Sequence, residues 1–166
     1  MSPRRVLAVI DMGRSGREVA RRAWEITSLH EGARLAIGHV ADWGAELGAD
    51  EFSPLTPPEV EQRLEVVIDR HLRAVANQIG AAEAATLVSF PTPFRGIDEL
   101  ARRWQPDLVV VGSGTDHGLA GSDSFSTPHW SCAALVVEVP ASAFLPRAVR
   151  RIADALTPGR PAHRLR

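Results

Sequence analysis

From Val109 to Val139 the chain reads VVVGSGTDHGLAGSDSFSTPHWSCAALVVEV: an apolar run stops at Gly112, a loop of glycines and hydroxyls follows, and a second apolar run closes it. Glycines let backbone N–H groups come close to a ligand, and hydroxyls at a helix start add donors. Such a loop has the parts needed to wrap a phosphate or another anion. Ser122, Ser124, Ser126 and Thr127 supply hydroxyls between Gly118 and Gly121 and the second apolar run, with Arg14 and Arg95 as candidate neighbours. Asp116 and Asp123 oppose this reading by putting negative charge in the same loop. The plainer reading, a solvated connection made of ordinary turn residues, stands beside it.

All 19 basic residues are arginine, and tyrosine is absent. A phosphate-binding lysine after a glycine loop, a Schiff base and a lysine general base are therefore excluded. Ser113 lies in VGSGT, which lacks the G-x-S-x-G elbow of a nucleophilic serine. Asp116, His117 and His129 have none of the fixed spacing that marks a zinc site. His39 in a strand and His71 on an inward helix stripe read as packed or hydrogen-bonded side chains. Cys132 reads as a small buried hydrophobe. No catalytic residue and no metal ligand is assigned.

Elements must position these residues. RVLAVID (Arg5 to Asp11) is a continuous aliphatic run, as expected of a strand buried on both faces. A helix follows, with Ser15 as its cap, Val19, Ala20, Ala23, Trp24, Ile26 and Thr27 inward, and Gly32 at its end. ARLAIGHV (Ala33 to Val40) reads as a second strand, and the stretch to Pro58 as a loop. Val60, Leu64, Val67, Ile68, His71, Leu72, Val75 and Ile79 then recur at steps of three and four before Gly80, the clearest helix. AATLVSF is a third strand. PTPFRGIDELARRWQ is a short helix with Ile97, Leu100, Ala101 and Trp104 inward. DLVVVG and ALVVEVP are the last two strands. This alternation predicts an α/β fold: a five-stranded parallel doubly wound sheet, order 3-2-1-4-5, with helices on both faces and an extra C-terminal helix. In that order the chain reverses between the first and fourth strands. Ligands bind beyond the carboxyl ends there, where Asp11, Met12 and Gly13 meet Gly112, Ser113 and Gly114.

At these residues the chain resembles the universal stress protein family. VLAVID with its terminal Asp11, IGHVAD, GIDELARRWQPDLVVVGS and SCAALVVEV carry the likeness in order and spacing across residues 4 to 140. The resemblance implies that Asp11 touches adenine or ribose and that the backbone of Val40 meets the adenine edge. Nucleotide-binding members have a last loop of Gly, two residues, Gly, nine residues, then Gly before Ser or Thr. Laid on without a gap, the pattern falls on Gly112, Thr115, Phe125 and Ser126, so only the first glycine and the hydroxyl survive. A gapped alignment puts the last pair on Gly121 and Ser122 instead. Phe125 would set a ring where phosphate needs bare backbone, and Pro128 shortens the helix that would follow.

The resemblance therefore implies a non-catalytic stress-response module with a degenerate or altered pocket. The alternative is an ATP- or AMP-binding member with at most slow hydrolysis. Site candidates under either reading are Asp11, Met12, Gly13, Val40, Gly112, Ser113, Thr115, Gly121, Ser122, Ser126 and Thr127. Family members commonly dimerise through the last strand, and Ala134 to Val139 is expected to be an apolar edge that pairs with its twin.

Composition agrees with a single globular domain. Of 166 residues, 45% are hydrophobic and 23% charged. The apolar runs fall far short of the ~20 residues needed to cross a bilayer. Met1 to Arg5 leads straight into a strand, so no signal peptide is expected. One cysteine fits a reducing, cytoplasmic location. Residues 1–140 read as the α/β domain and 141–166 as a basic helix and tail. The tail holds six arginines against one aspartate, a charge of +5, which leaves −6 of the overall −1 to the rest. An acidic domain argues against a nucleic-acid partner. Leu145, Val149, Ile152 and Leu156 fall at helical steps, so this tail could dock on its own domain, its dimer mate or another protein. A membrane is not an expected partner.

Overall fold

The structure, a computed structural model, describes residues 3–41, 56–90, 96–112 and 132–138. The order is β1 (Arg5–Val9), α1 (Arg14–Ser28), β2 (Arg34–Val40), α2 (Pro57–Gln78), β3 (Ala85–Ser89), α3 (Gly96–Trp104), β4 (Leu108–Gly112) and β5 (Ala133–Val137). The five strands form one sheet in the order β3-β2-β1-β4-β5, and all four pairings are parallel. The expected order is therefore the observed one.

Strand residues alternate between two cores because successive side chains point to opposite faces. Val6, Ala8, Ile10, Leu35, Ile37 and Val110 face α1 and α2. There Val19, Ala20 and Ala23 meet Val60, Leu64, Ile68, Leu72 and Val75. Leu7, Val9, Ala36, Val109 and Val111 face the other way, onto Leu100 and Trp104 of α3. With both faces covered, the central strands are apolar throughout instead of alternating.

The helix ends follow local chemistry. At the start of α2, Thr56 donates from its backbone N–H and its hydroxyl to Glu59 Oε2, at 2.8 and 2.7 Å, and Pro57 occupies the first turn. Both devices suit a helix start, where N–H groups lack partners. Gly80 lies just past the end of α2 with φ at 79°, a conformation that costs a side-chain-bearing residue energy. Here the expected stop is the observed one.

Three expectations move. Regular pairing of β1 ends at Val9, not Asp11, because the aspartate turns toward α1. The helix expected over residues 91–105 ends at Trp104, and its described part begins at Gly96. The last strand starts at Ala133 and ends at Val137. The proposed C-terminal helix of residues 144–156 lies outside the described residues.

Candidate functional site

The reversal between β1 and β4 brings three chain ends to one rim of the sheet. Val9 pairs with Gly38 of β2 on one side and Val111 of β4 on the other. One residue further, Ile10 still donates its N–H to Gly38 O at 2.9 Å. Asp11 then leaves the sheet beside the ends of β2 and β4, near Val40 and Gly112.

Asp11 organises the turn into α1. Its Oδ1 accepts from the backbone N–H of Gly13 at 2.7 Å and of Gly16 at 3.0 Å. Its Oδ2 accepts from the hydroxyl of Ser15. The cap expected at Ser15 is thus supplied by Asp11. Ser15 lies inside the helix, and its hydroxyl donates to the carboxylate instead of receiving a backbone N–H. Placing the negative charge at the positive end of α1 adds to the effect.

Gly16 makes that approach possible. A Cβ at this position would stand 2.2 Å from the backbone oxygen of Asp11, a contact no side-chain rearrangement relieves. Sequence reasoning passed over Gly16, although a glycine in the first turn of a predicted helix signals close approach of backbone.

Met12 is half-buried and packs against the core shared with α1 and α2. Gly13 is exposed at the helix start, with φ −95° and ψ −168°. Val40 ends β2 opposite Ser89, whose carbonyl accepts from the N–H of Ala41 at 2.8 Å. Gly112 is buried at the end of β4, paired with Val137. Asp11, Met12, Gly13, Val40 and Gly112 therefore share one end of the sheet. Ser113, Thr115, Gly121, Ser122, Ser126 and Thr127 lie outside the described residues.

Two histidines stand beneath this rim. His39 is buried, and its Nδ1 is 2.7 Å from the carbonyl oxygen of Ile10. A carbonyl can only accept, so Nδ1 carries the proton and the ring ties β2 to the chain leaving β1. His71 reaches the region from α2 with its Nε2 buried and unpartnered. Burial holds its pKa below the ordinary imidazole value. The positive fields of His39 and Arg17 act in the same direction, and Asp11 partly opposes them. Among the described residues, no three His, Cys, Asp or Glu side chains gather as a metal site.

The site is thus a turn capped by an aspartate at the switch point of a 3-2-1-4-5 sheet. The profile of the universal stress protein family matches residues 3–125. The chain belongs to the universal stress protein family. Solved members share its fold at low identity. UspA from Lactobacillus plantarum is 20% identical with a TM-score of 0.57, covering 80% of this chain and 96% of its own. A universal stress protein in complex with cAMP is 20% identical at 0.54, covering 82% and 98%. A family member from Arabidopsis thaliana with AMP bound is 16% identical at 0.53, covering 88% and 99%. No curated protein sequence matches this chain. No helix among this member's described residues is long and apolar enough to cross a membrane.

Proposed function

We propose that this universal stress protein is a non-catalytic regulatory module whose switch-point pocket is altered, keeping a nucleoside rim while losing the triphosphate cradle. The ligand class that fits is an adenine nucleotide with a single phosphate, such as AMP or cAMP. The observation that carries this reading is the convergence of Asp11, Val40 and Gly112 at one end of the sheet. Asp11 and Val40 are the positions from which the family resemblance takes its base and sugar contacts.

The departures in sequence fall where the outer phosphates would lie. Thr115 and Phe125 stand in place of glycine, so fewer bare N–H groups are offered there. A ligand without outer phosphates does not need them. Both nucleotides named for the similar structures, cAMP and AMP, have one phosphate. The second reading, ATP binding with slow hydrolysis, is favoured by the hydroxyls of Ser122, Ser126 and Thr127.

Titration calorimetry with AMP, cAMP and ATP separates these readings, alongside thermal unfolding with and without Mg²⁺. Binding at ~100 times the dissociation constant stabilises by ~2.7 kcal/mol. The expected result is stabilisation by AMP or cAMP, no added effect of Mg²⁺, and ATP binding at least tenfold weaker. Preferential binding of Mg²⁺-ATP with phosphate release would establish the second reading, and no response to any nucleotide would overturn both. We further propose that the protein is a cytoplasmic homodimer joined through β5, with the basic C-terminal segment as a contact for other proteins.

A further inference from the structure

The opposite end of the sheet carries an arrangement that the nucleotide reading does not use. Arg5 opens β1 and Arg34 opens β2, and the two are paired in register on adjacent parallel strands. Both side chains fall on the α3 face, as do Leu7 and Ala36 two residues further on. Their guanidinium carbons lie over one ring, 4.6 Å from the centroid of Trp104 for Arg5 and 5.7 Å for Arg34. Like charges side by side on neighbouring strands repel.

The protein supplies little to offset that repulsion. No described carboxylate forms an ion pair with either guanidinium. Asp107 accepts the backbone N–H groups of Arg4 and Arg5 with its Oδ2, at 2.8 and 2.9 Å. Arg5 Nε and Trp104 Nε1 are both buried without a hydrogen-bond partner. Buried donors normally find an acceptor, so two orphans in one cluster mark a local shortage of acceptors. Arg34 is exposed, which leaves the cluster open to solvent.

We propose that this rim is an anion site that takes a phosphate group between the guanidiniums of Arg5 and Arg34. Guanidinium forks match phosphate oxygens two at a time, and a dianion offsets two adjacent cations where a carboxylate offsets one. Trp104 backs the pair and holds both planar groups in place through its face. The site is separate from the switch point: Asp11 lies six residues along the chain from Arg5, roughly 20 Å at strand rise.

The test follows the indole N–H signals of the full chain by proton–nitrogen correlation spectroscopy. The chain has four tryptophans, so the Trp104 signal is assigned by its loss in Trp104→Phe. Inorganic phosphate, glycerol 3-phosphate and acetate are each titrated at constant ionic strength. The expected result is a saturable shift of the Trp104 signal with phosphate and little response to acetate. Arg34→Gln, an exposed change at a strand start, should weaken the response at least tenfold, and Arg34→Lys should restore only part of it. A response to glycerol 3-phosphate as well identifies a phosphomonoester as the guest, whereas phosphate alone identifies the free ion. An equal response to acetate or sodium chloride would overturn the proposal. So would a phosphate response unchanged in Arg34→Gln, or none in the unaltered chain.

Discussion

Asp11 serves as both a structural cap and a candidate ligand contact, and stability measurements isolate the first role. Its carboxylate accepts from two backbone N–H groups and one hydroxyl at the start of α1. Asp11→Ala would strand the N–H of Gly16, a buried residue, and is expected to cost about 2 kcal/mol. Asp11→Asn keeps an oxygen for both N–H groups, while the Ser15 hydroxyl can rotate to accept from the new amide. Its cost should stay below about 1 kcal/mol. Urea unfolding reads both as shifts of midpoint at constant slope; equal costs for the two variants would show that the carboxylate oxygens are not what holds the turn. Asp11 was legible from its place at the end of an apolar run. Its capping of α1 was legible too, as the plainer reading of a residue at a helix start, but the sequence offered Ser15 for the same part. The choice between them depends on how closely Gly16 lets the backbone pass.

At the scale of elements, the helices and strands were readable because each carries a single strong period. The stripe of α2 at steps of three and four, and the unbroken aliphatic runs of β1, β2 and β4, admit one arrangement once crossovers are right-handed. Boundaries were less readable, since the last residues of a strand answer to the turn that follows. Trp104 was foreseen as an inward helix residue, but its two arginine neighbours were not. Their meeting depends on the β1–β2 register, which no local pattern encodes. Position within the sheet also makes a prediction for β5. Among the described residues it pairs only with β4, and its Val136 is 50% exposed. An edge of this kind presents unpaired backbone groups beside apolar side chains, which suits pairing with a second copy. Val136→Asp should convert a dimer to monomer or aggregate in light scattering coupled to size exclusion. A dimer that persists in this variant would place the interface elsewhere.

For the molecule as a whole, the groups beneath the nucleotide rim make stability depend on pH. His71 sits on α2, facing His39 of β2, Arg17 of α1 and Asp11 at the end of β1, and its folded pKa lies below the ordinary value. The unfolded chain therefore binds this proton more readily than the folded one. Its contribution to stability is complete above the unfolded pKa, ~6.5, and is lost as pH falls from there toward the folded value. For one proton the slope cannot exceed about 1.4 kcal/mol per pH unit. Glu18 and Asp69 are also lowered, Glu18 chiefly by its hydrogen bond to Arg21; for Asp69, burial pushes upward, and the hydrogen bonds to Arg73 and Thr86 with the Arg73 charge together outweigh it. Their contributions vanish only at more acid pH, below the ordinary carboxylate range, so the interval from about pH 7.5 to 5.5 separates histidine titration from these carboxylates, and the His71 variant separates His71 from the other five histidines. His71→Leu removes both the titrating group and its unpartnered buried nitrogen while keeping the apolar stripe. It is expected to lose less stability than the parent across that interval when chemical unfolding is followed at each pH. A parallel loss in parent and variant would assign the acid sensitivity to other groups.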